Sequence, residues 1–240
     1  MLSKSAVKIN HDFIKSVVKS GVKVSAVVKG NAYGHGIEEY IPLAESCGYD
    51  HFSVFSADEA YRVKKASLNN SPVLIMGEID PNDLHWVIEN DVHFFAFEIS
   101  RVSKAIELAK SYDKKAHIHI EFETGFNRTG FNAEELVTLV KLIRDNEDYV
   151  SVEGACTHYA GAESVANHVR VLNQIKVFKK LCKWLEGQGI HPKLKHTACS
   201  AATIIYPNTQ MDMVRVGILQ YGFWPSKETL IHYLSKIDGK

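Results

Sequence analysis

The sequence predicts an α/β fold, a (β/α)8 barrel of the TIM type spanning residues 1–240. Three observations lead there. Eight short runs rich in β-branched and aromatic residues recur along the chain. Helix-like or loop segments separate them. The residues able to do chemistry gather where the runs end, which is where barrels keep their reactive groups. A doubly wound open sheet is the alternative, because strand count alone does not prove closure.

The elements read in order. "INHDFIKSVVKSG" puts Phe13, Ile14, Val17 and Val18 on one helical face, with Gly21 as a stop signal. The strand candidates are "VSAVV" (24–28), "HFSVF" (51–55), "PVLIM" (72–76), "HFFAF" (93–97), "AHIHIEF" (116–122), "VSVEGACTH" (150–158), "LKHTACS" (194–200) and "MVRVGILQYG" (213–222). Their continuous apolar character suits strands buried on both faces. Helix candidates lie between them, among them "GIEEYIPLAESCG", "SADEAYRVKKA", "SRVSKAIELAKSY" and "NAEELVTLVKLIRD". Ser56 and Asn132 precede acidic first turns, as helix N-caps do. No Pro/Ser-rich linker divides the chain.

Composition narrows the function. Lys plus Arg equal Asp plus Glu at 28 each, so charge gives no support to nucleic-acid or membrane-surface binding. No run approaches the ~18 apolar residues of a membrane span, and "MLSKSAVKIN" lacks the apolar core of a signal peptide. Cys47, Cys156, Cys182 and Cys199 are scattered and form no C-x-x-C pair, so a reduced, cytoplasmic protein is expected.

"KVSAVVKGNAYGHG" (23–36) is the most informative stretch. Lys29 closes an apolar strand, and Gly30, Gly34 and Gly36 then break regular structure. A lysine rising out of a buried sheet sits in a poor solvent for charge, which suits an amine nucleophile or Schiff-base lysine. Other reactive types share that placement: Arg128 after the fifth run, His158 at the end of the sixth, Cys199 and Ser200 at the seventh, and Arg215 and Gly217 in the eighth. Taken singly, each has an ordinary structural reading. His158 could be a satisfied core histidine, Arg215 an ion-pair residue, and His35, between two glycines, is read as structural.

The residues resemble a known family. "AVVKGNAYGHG" is similar to the pyridoxal-phosphate (PLP) lysine motif of alanine racemases, and "ETGFNRTGF", "GACTHYAGAES", "HTACSAA" and "DMVRVGILQYG" follow in the family's order. The resemblance implies that Lys29 carries PLP covalently and serves as one of two catalytic bases. It implies that Tyr33 contacts the phosphate, that Ser200 and the backbone of Gly217 and Ile218 hold it, that Arg215 points at the pyridine nitrogen, and that His158 and Arg128 lie beside the ring. The substrate is then a small amino acid, alanine by family. The reading implied for the 240 residues is the PLP-binding barrel domain, with a homodimer in the full-length enzyme.

Three departures stand out. Glu121 occupies the position where many family members carry an often carbamylated lysine, so a carboxylate is offered to Arg128 directly, from a shorter arm. Cys199 replaces the asparagine before the phosphate-binding serine, a weaker hydrogen-bonder. The family also carries a second, β-rich domain after the barrel, holding the tyrosine that serves the opposite face. The matching motifs of this chain all belong to the barrel.

Two other functions compete. One is a single-domain PLP-binding protein of cofactor handling. The other is a metal-dependent barrel hydrolase, since His117, His119, Glu121 and Glu123 share a strand face by period-two alternation, with His158 on the next strand. Against the latter, the first strand holds no H-x-H, and no metal is expected.

Overall fold

A computed structural model describes residues 2–238. Eight parallel strands form one sheet: β1 (Lys23–Val27), β2 (Phe52–Val54), β3 (Val73–Ile75), β4 (His93–Ala96), β5 (Ala116–Glu121), β6 (Val150–Cys156), β7 (Leu194–His196) and β8 (Met213–Val216). Each pairs with its sequence neighbour from β1 to β7, and β8 returns to pair with β1, so the sheet curls into a nearly closed barrel. The seam between β7 and β8 is drawn together outside any ladder. The Asp212 N–H donates to Lys195 O (3.0 Å), the Lys195 N–H donates to the Asp212 carboxylate (2.7 Å), and the Arg215 N–H donates to Ala198 O (2.9 Å).

The core has two parts, separated by the pleat. Outward positions such as Ala26, Phe52, Ile75, Phe94, Ile118 and Val214 are buried beneath the helices, with Ile14, Ile41, Leu139 and Phe178 supplied from the helix side. Inward positions include a small apolar group, Leu74, Phe95, Cys156 and Met213. Polar side chains fill the rest of the barrel lumen: Ser25, Ser53, His51, His119, His196 and Arg215 are all buried. In the lumen, the Ser25 and Ser53 hydroxyls lie 2.6 Å apart, and His51 Nδ1 is 2.9 Å from Ser25. Such groups are tolerated only because each finds a partner.

Helix starts follow the sequence expectation. Ser56 accepts from the Glu59 N–H (3.3 Å), and Asn132 forms a capping box with Glu135. The first helix differs: it runs Lys4–Val17 and stops at Val18, whose backbone is extended, and Gly21 (φ 82°) turns the chain just before β1. The strands are also shorter than their apolar runs. β1 ends at Val27, β6 at Cys156, β7 at His196 and β8 at Val216, so Lys29, His158, Ser200 and Gly217 all sit just past strand ends. Apolar patterning reports burial, and the connecting turns are buried too. Among the described residues, no helix is long and apolar enough to cross a membrane.

Candidate active site

Lys29 opens a left-handed turn. Gly30, Asn31, Ala32 and Tyr33 all have φ between 54° and 64°. For L-residues this conformation costs about 1–2 kcal/mol each, so the three non-glycine residues together carry about 3–6 kcal/mol that neighbouring contacts must offset. The Ala32 N–H donates to Val28 O (2.7 Å) and the Gly34 N–H to Gly30 O (3.0 Å). Asn31 Oδ1 accepts from the Ile37 N–H (3.1 Å) and from Arg62 Nη2 (2.6 Å). Glu59 binds two loops at once: its Oε1 accepts from the Asn31 N–H (3.1 Å) and its Oε2 from the Phe55 N–H (2.9 Å).

The turn projects Lys29 into an open cleft of about 400 Å³, lined also by Gly30, Tyr33, Phe55, Ser56 and Glu59. Lys29 is exposed there. The expectation of a lysine desolvated by the sheet is therefore not met: the turn lifts the residue clear of the strand's buried end.

Tyr33 leans across the barrel mouth onto the turn after β8. A Cβ built on Gly217 would collide with its hydroxyl. Ser200, buried at the start of the helix Ser200–Ile205, reaches the same turn, where its Oγ accepts from the N–H groups of Gly217 (3.0 Å) and Leu219 (3.4 Å). Ile218 begins a short 3-10 helix, Ile218–Tyr221. The hydroxyls of Tyr33 and Ser200 and the backbone of this turn thus meet in a cradle after β7 and β8, the place where barrels commonly hold phosphate, with the Gly217 and Leu219 N–H groups turned onto Ser200 Oγ. Tyr221 backs the cradle, its ring 5.0 Å from Tyr33 and 4.9 Å from His35, which gives His35 its structural role.

Arg215 points into the lumen below. Its Nη1 donates to His196 O (2.7 Å) and to His196 Nδ1, and its Nη2 donates to Thr157 O (2.9 Å). A guanidinium has five N–H donors, so Nε–H and one Nη2–H are left without a partner among the described residues. His158 lies near three cations. Burial first, then the charges of Arg215, Arg128 and Lys29, push its pKa down to about 3, so it is neutral. Phe126 stands edge-on to it at 5.5 Å.

Arg128 rests over the Phe126 ring (4.5 Å), with Nη2 3.8 Å from Glu121 Oε1. Glu121 is buried, which raises its pKa, and its other oxygen accepts from Thr129 (2.8 Å). The short glutamate arm brings the carboxylate into ion-pair range but not hydrogen-bond range. Cys199 caps the helix Ser200–Ile205, and burial raises its thiol pKa, so no thiolate nucleophile is present.

Lys29, Tyr33, Ser200, Gly217 and Ile218 thus gather at the barrel mouth, with Cys199, His158, Arg215 and Arg128 around and beneath them. The hydrolase alternative finds no such convergence. His117 bonds Glu153 (3.0 Å), His119 bonds His196 (2.7 Å), and Glu121 bonds Thr129, so one strand face delivers its three groups to three levels of the lumen. Sequence reasoning found Asn31 as a turn residue but missed Glu59 and Arg62 as the braces of the lysine turn. Glu59 was legible only as the third residue of a capped helix.

The model of the alanine racemase N-terminal domain matches residues 2–225. Curated alanine racemases of Methanococcus maripaludis and Leptospira interrogans are 34% and 31% identical over 229 and 228 residues, 95% of this chain in both cases and 60% and 57% of theirs. Among solved structures, alanine racemase of Clostridium difficile 630 in complex with cycloserine superposes with a TM-score of 0.87 at 29% identity, covering 93% of this chain and 61% of that one. The Bacillus anthracis alanine racemase with bound L-Ala-P gives 0.86 at 34%, covering 94% and 57%. The chain therefore spans about 60% of the length of the relatives it matches, and it belongs to the alanine racemase N-terminal domain family.

Proposed function

We propose that this barrel binds PLP and works in the racemisation of alanine. The observation that carries the reading is the meeting of Tyr33 with Gly217 and Ser200, three residues from distant segments that build one anion cradle above an arginine with unused donors. The residues fit the cofactor. A phosphate needs N–H and O–H donors and close backbone approach, which Gly217 allows. A ring nitrogen needs one donor, which Arg215 has to spare. An aldehyde needs an accessible amine, which Lys29 supplies at the cleft.

When bound, PLP supplies the electron sink that makes the Cα–H of an attached amino acid acidic. The remaining work falls to the chain's own residues. Tyr33 and Ser200 would hold the phosphate with the backbone of Gly217 and Ile218, the Gly217 N–H passing from Ser200 Oγ to the anion. Arg215 would donate to the ring nitrogen and, having no proton it can give up, would leave that nitrogen unprotonated, which favours prompt return of the Cα proton over transamination. Neutral His158 would flank the ring, and Arg128 would face the ring oxygen with Glu121 behind it. Lys29 Nζ takes or returns the Cα proton on one face. The resemblance assigns the other face to a tyrosine of a β-rich domain.

Incubation with PLP, borohydride reduction and peptide mapping test the reading. A phosphopyridoxyl group on Lys29 is expected. Modification scattered over surface lysines would reject it.

A further inference from the structure

Behind Arg215 stands a file of imidazoles. His196 Nε2 is 2.7 Å from His119 Nδ1, and His119 Nε2 is 3.2 Å from His93 Nδ1. His196 and His119 are fully buried, and burial drives both pKa values far down, so each is neutral and carries a single ring N–H. The direction of every bond then follows from one end. Arginine can only donate, so His196 Nδ1 must be the bare, accepting nitrogen. Its proton sits on Nε2 and goes to His119 Nδ1. The proton of His119 sits on Nε2 in turn and goes to His93 Nδ1. Reversing any link would leave two donors facing each other.

The fold makes room for this file. The β5–β6 register slips between Ile118 and His119, so that Ile118 pairs with Val152 but His119 pairs with Gly154. A Cβ on Gly154 would collide with the His119 ring. A bulge and a glycine at the same point are how a sheet accommodates one inward side chain.

We propose that His196, His119 and His93 form a one-way hydrogen-bonded chain that locks the rotation of the Arg215 guanidinium and so decides which of its N–H groups remain for a ligand. His119 and His93 are positioning residues, acting through His196 from deeper in the lumen. What Arg215 is positioned for rests on the PLP reading, whereas the chain itself does not. The chain also settles a rival use of its far end. His93, His117 and Glu153 can bring one ligand atom each within 4.8 Å of one another, a donor set that suits zinc. Yet the lone pair of His93 Nδ1 is committed to His119 and its Nε2 carries the proton. Lys193 (2.8 Å) and Ser151 (2.7 Å) also hold the Glu153 carboxylate.

Long-range ¹H–¹⁵N correlation of the imidazoles in the ligand-free full chain tests this. His196, His119 and His93 should all show protonated Nε2 and bare Nδ1, and the Arg215 Nη signals should be resolved by slow rotation. His119→Leu should average the Arg215 signals and expose the His196 proton to exchange. His119→Gln, with a carbonyl to accept and an amide to donate, should restore both. PLP affinity should fall about tenfold in the leucine variant, the size of one weakened charge-assisted bond, and recover with glutamine. A protonated Nδ1 on any of the three rings, unchanged Arg215 signals in His119→Leu, or tight binding of Zn²⁺ alone through His93 would overturn the proposal. The expected tautomers and Arg215 signals in a protein that binds no PLP would reject only the cofactor reading.

Discussion

The hydroxyl of Tyr33 stands where the first side-chain carbon of any residue but glycine at position 217 would have to go. Gly217→Ala should therefore push Tyr33 off the cradle while leaving the barrel folded by circular dichroism. PLP affinity should drop at least tenfold, about 1.4 kcal/mol. Removing the hydroxyl should relieve the clash, so Tyr33→Phe added to Gly217→Ala should regain thermal stability lost by the alanine alone. Strictly additive melting temperatures would mean that the two residues do not meet.

Acid should unfold this protein early. Burial lowers the pKa of His51 and His158 to about 3 and that of His93 to about 4, and it carries His119 and His196 far down. These are folded-state values depressed below the ordinary 6.5, so their contribution to stability is whole above pH 6.5. It is lost as pH falls from there toward about 4, because the unfolded chain takes protons that the folded one refuses. Each such group removes about 1.4 kcal/mol per pH unit. Five together reach about 7 kcal/mol per unit, comparable with the whole stability of an ordinary domain at about 5–15 kcal/mol. Urea midpoints measured from pH 8 to pH 4.5 should hold steady and then collapse below pH 6. A flat profile down to pH 5 would contradict the buried, neutral histidines.

Two substitutions at Asn31 separate strain from hydrogen bonding. Asn31→Gly keeps the left-handed backbone cheaply but loses the acceptor that serves Ile37 and Arg62, at about 1–2 kcal/mol. Asn31→Ala loses the same acceptor and must also hold φ near 55°, adding about 1 kcal/mol. Alanine should be the worse of the two in equilibrium unfolding. The reverse order would place the turn outside the left-handed region in solution.

Glu121→Gln asks what the buried carboxylate does. The amide still accepts from Thr129 but no longer attracts Arg128, 3.8 Å away. Burial opposes the charge, so folding stability should hold or rise slightly. Loss of the ion pair should lower PLP affinity several-fold. Equal affinity in the variant and the parent would remove Glu121 from the site.

Much of this was legible in the sequence because parallel strands are buried on both faces and so appear as unbroken apolar runs. Eight runs gave eight strands, and Lys29, Ser200 and Gly217 fell near their ends. The exact ends were not legible, since Val28, Thr157 and Ala198 are as buried as the strands they follow. Nor were the braces: Glu59 and Arg62 meet Asn31 from the helix Ala57–Ala66, and no local pattern announces a contact across some thirty residues. The lumen histidines show the opposite limit. The alternation in "HIHIE" correctly put His117, His119 and Glu121 on one face. A rise of about 3.3 Å per residue then spread them over three levels, each with its own partner.

The seam between β7 and β8 gives the cradle a second meaning. Ser200 follows one edge of the sheet and Gly217 follows the other, so an anion held by both would be a clasp across the one seam without a ladder. It would reinforce a join that the Asp212–Lys195, Arg215–Ala198 and Ser200–Gly217 hydrogen bonds already make. Occupancy at a hundred times the dissociation constant would add about 2.7 kcal/mol, delivered at the weakest join in the ring. The empty hoop should part there first, with the amides of Asp212 and Arg215 exchanging ahead of those inside the β1–β2 ladder.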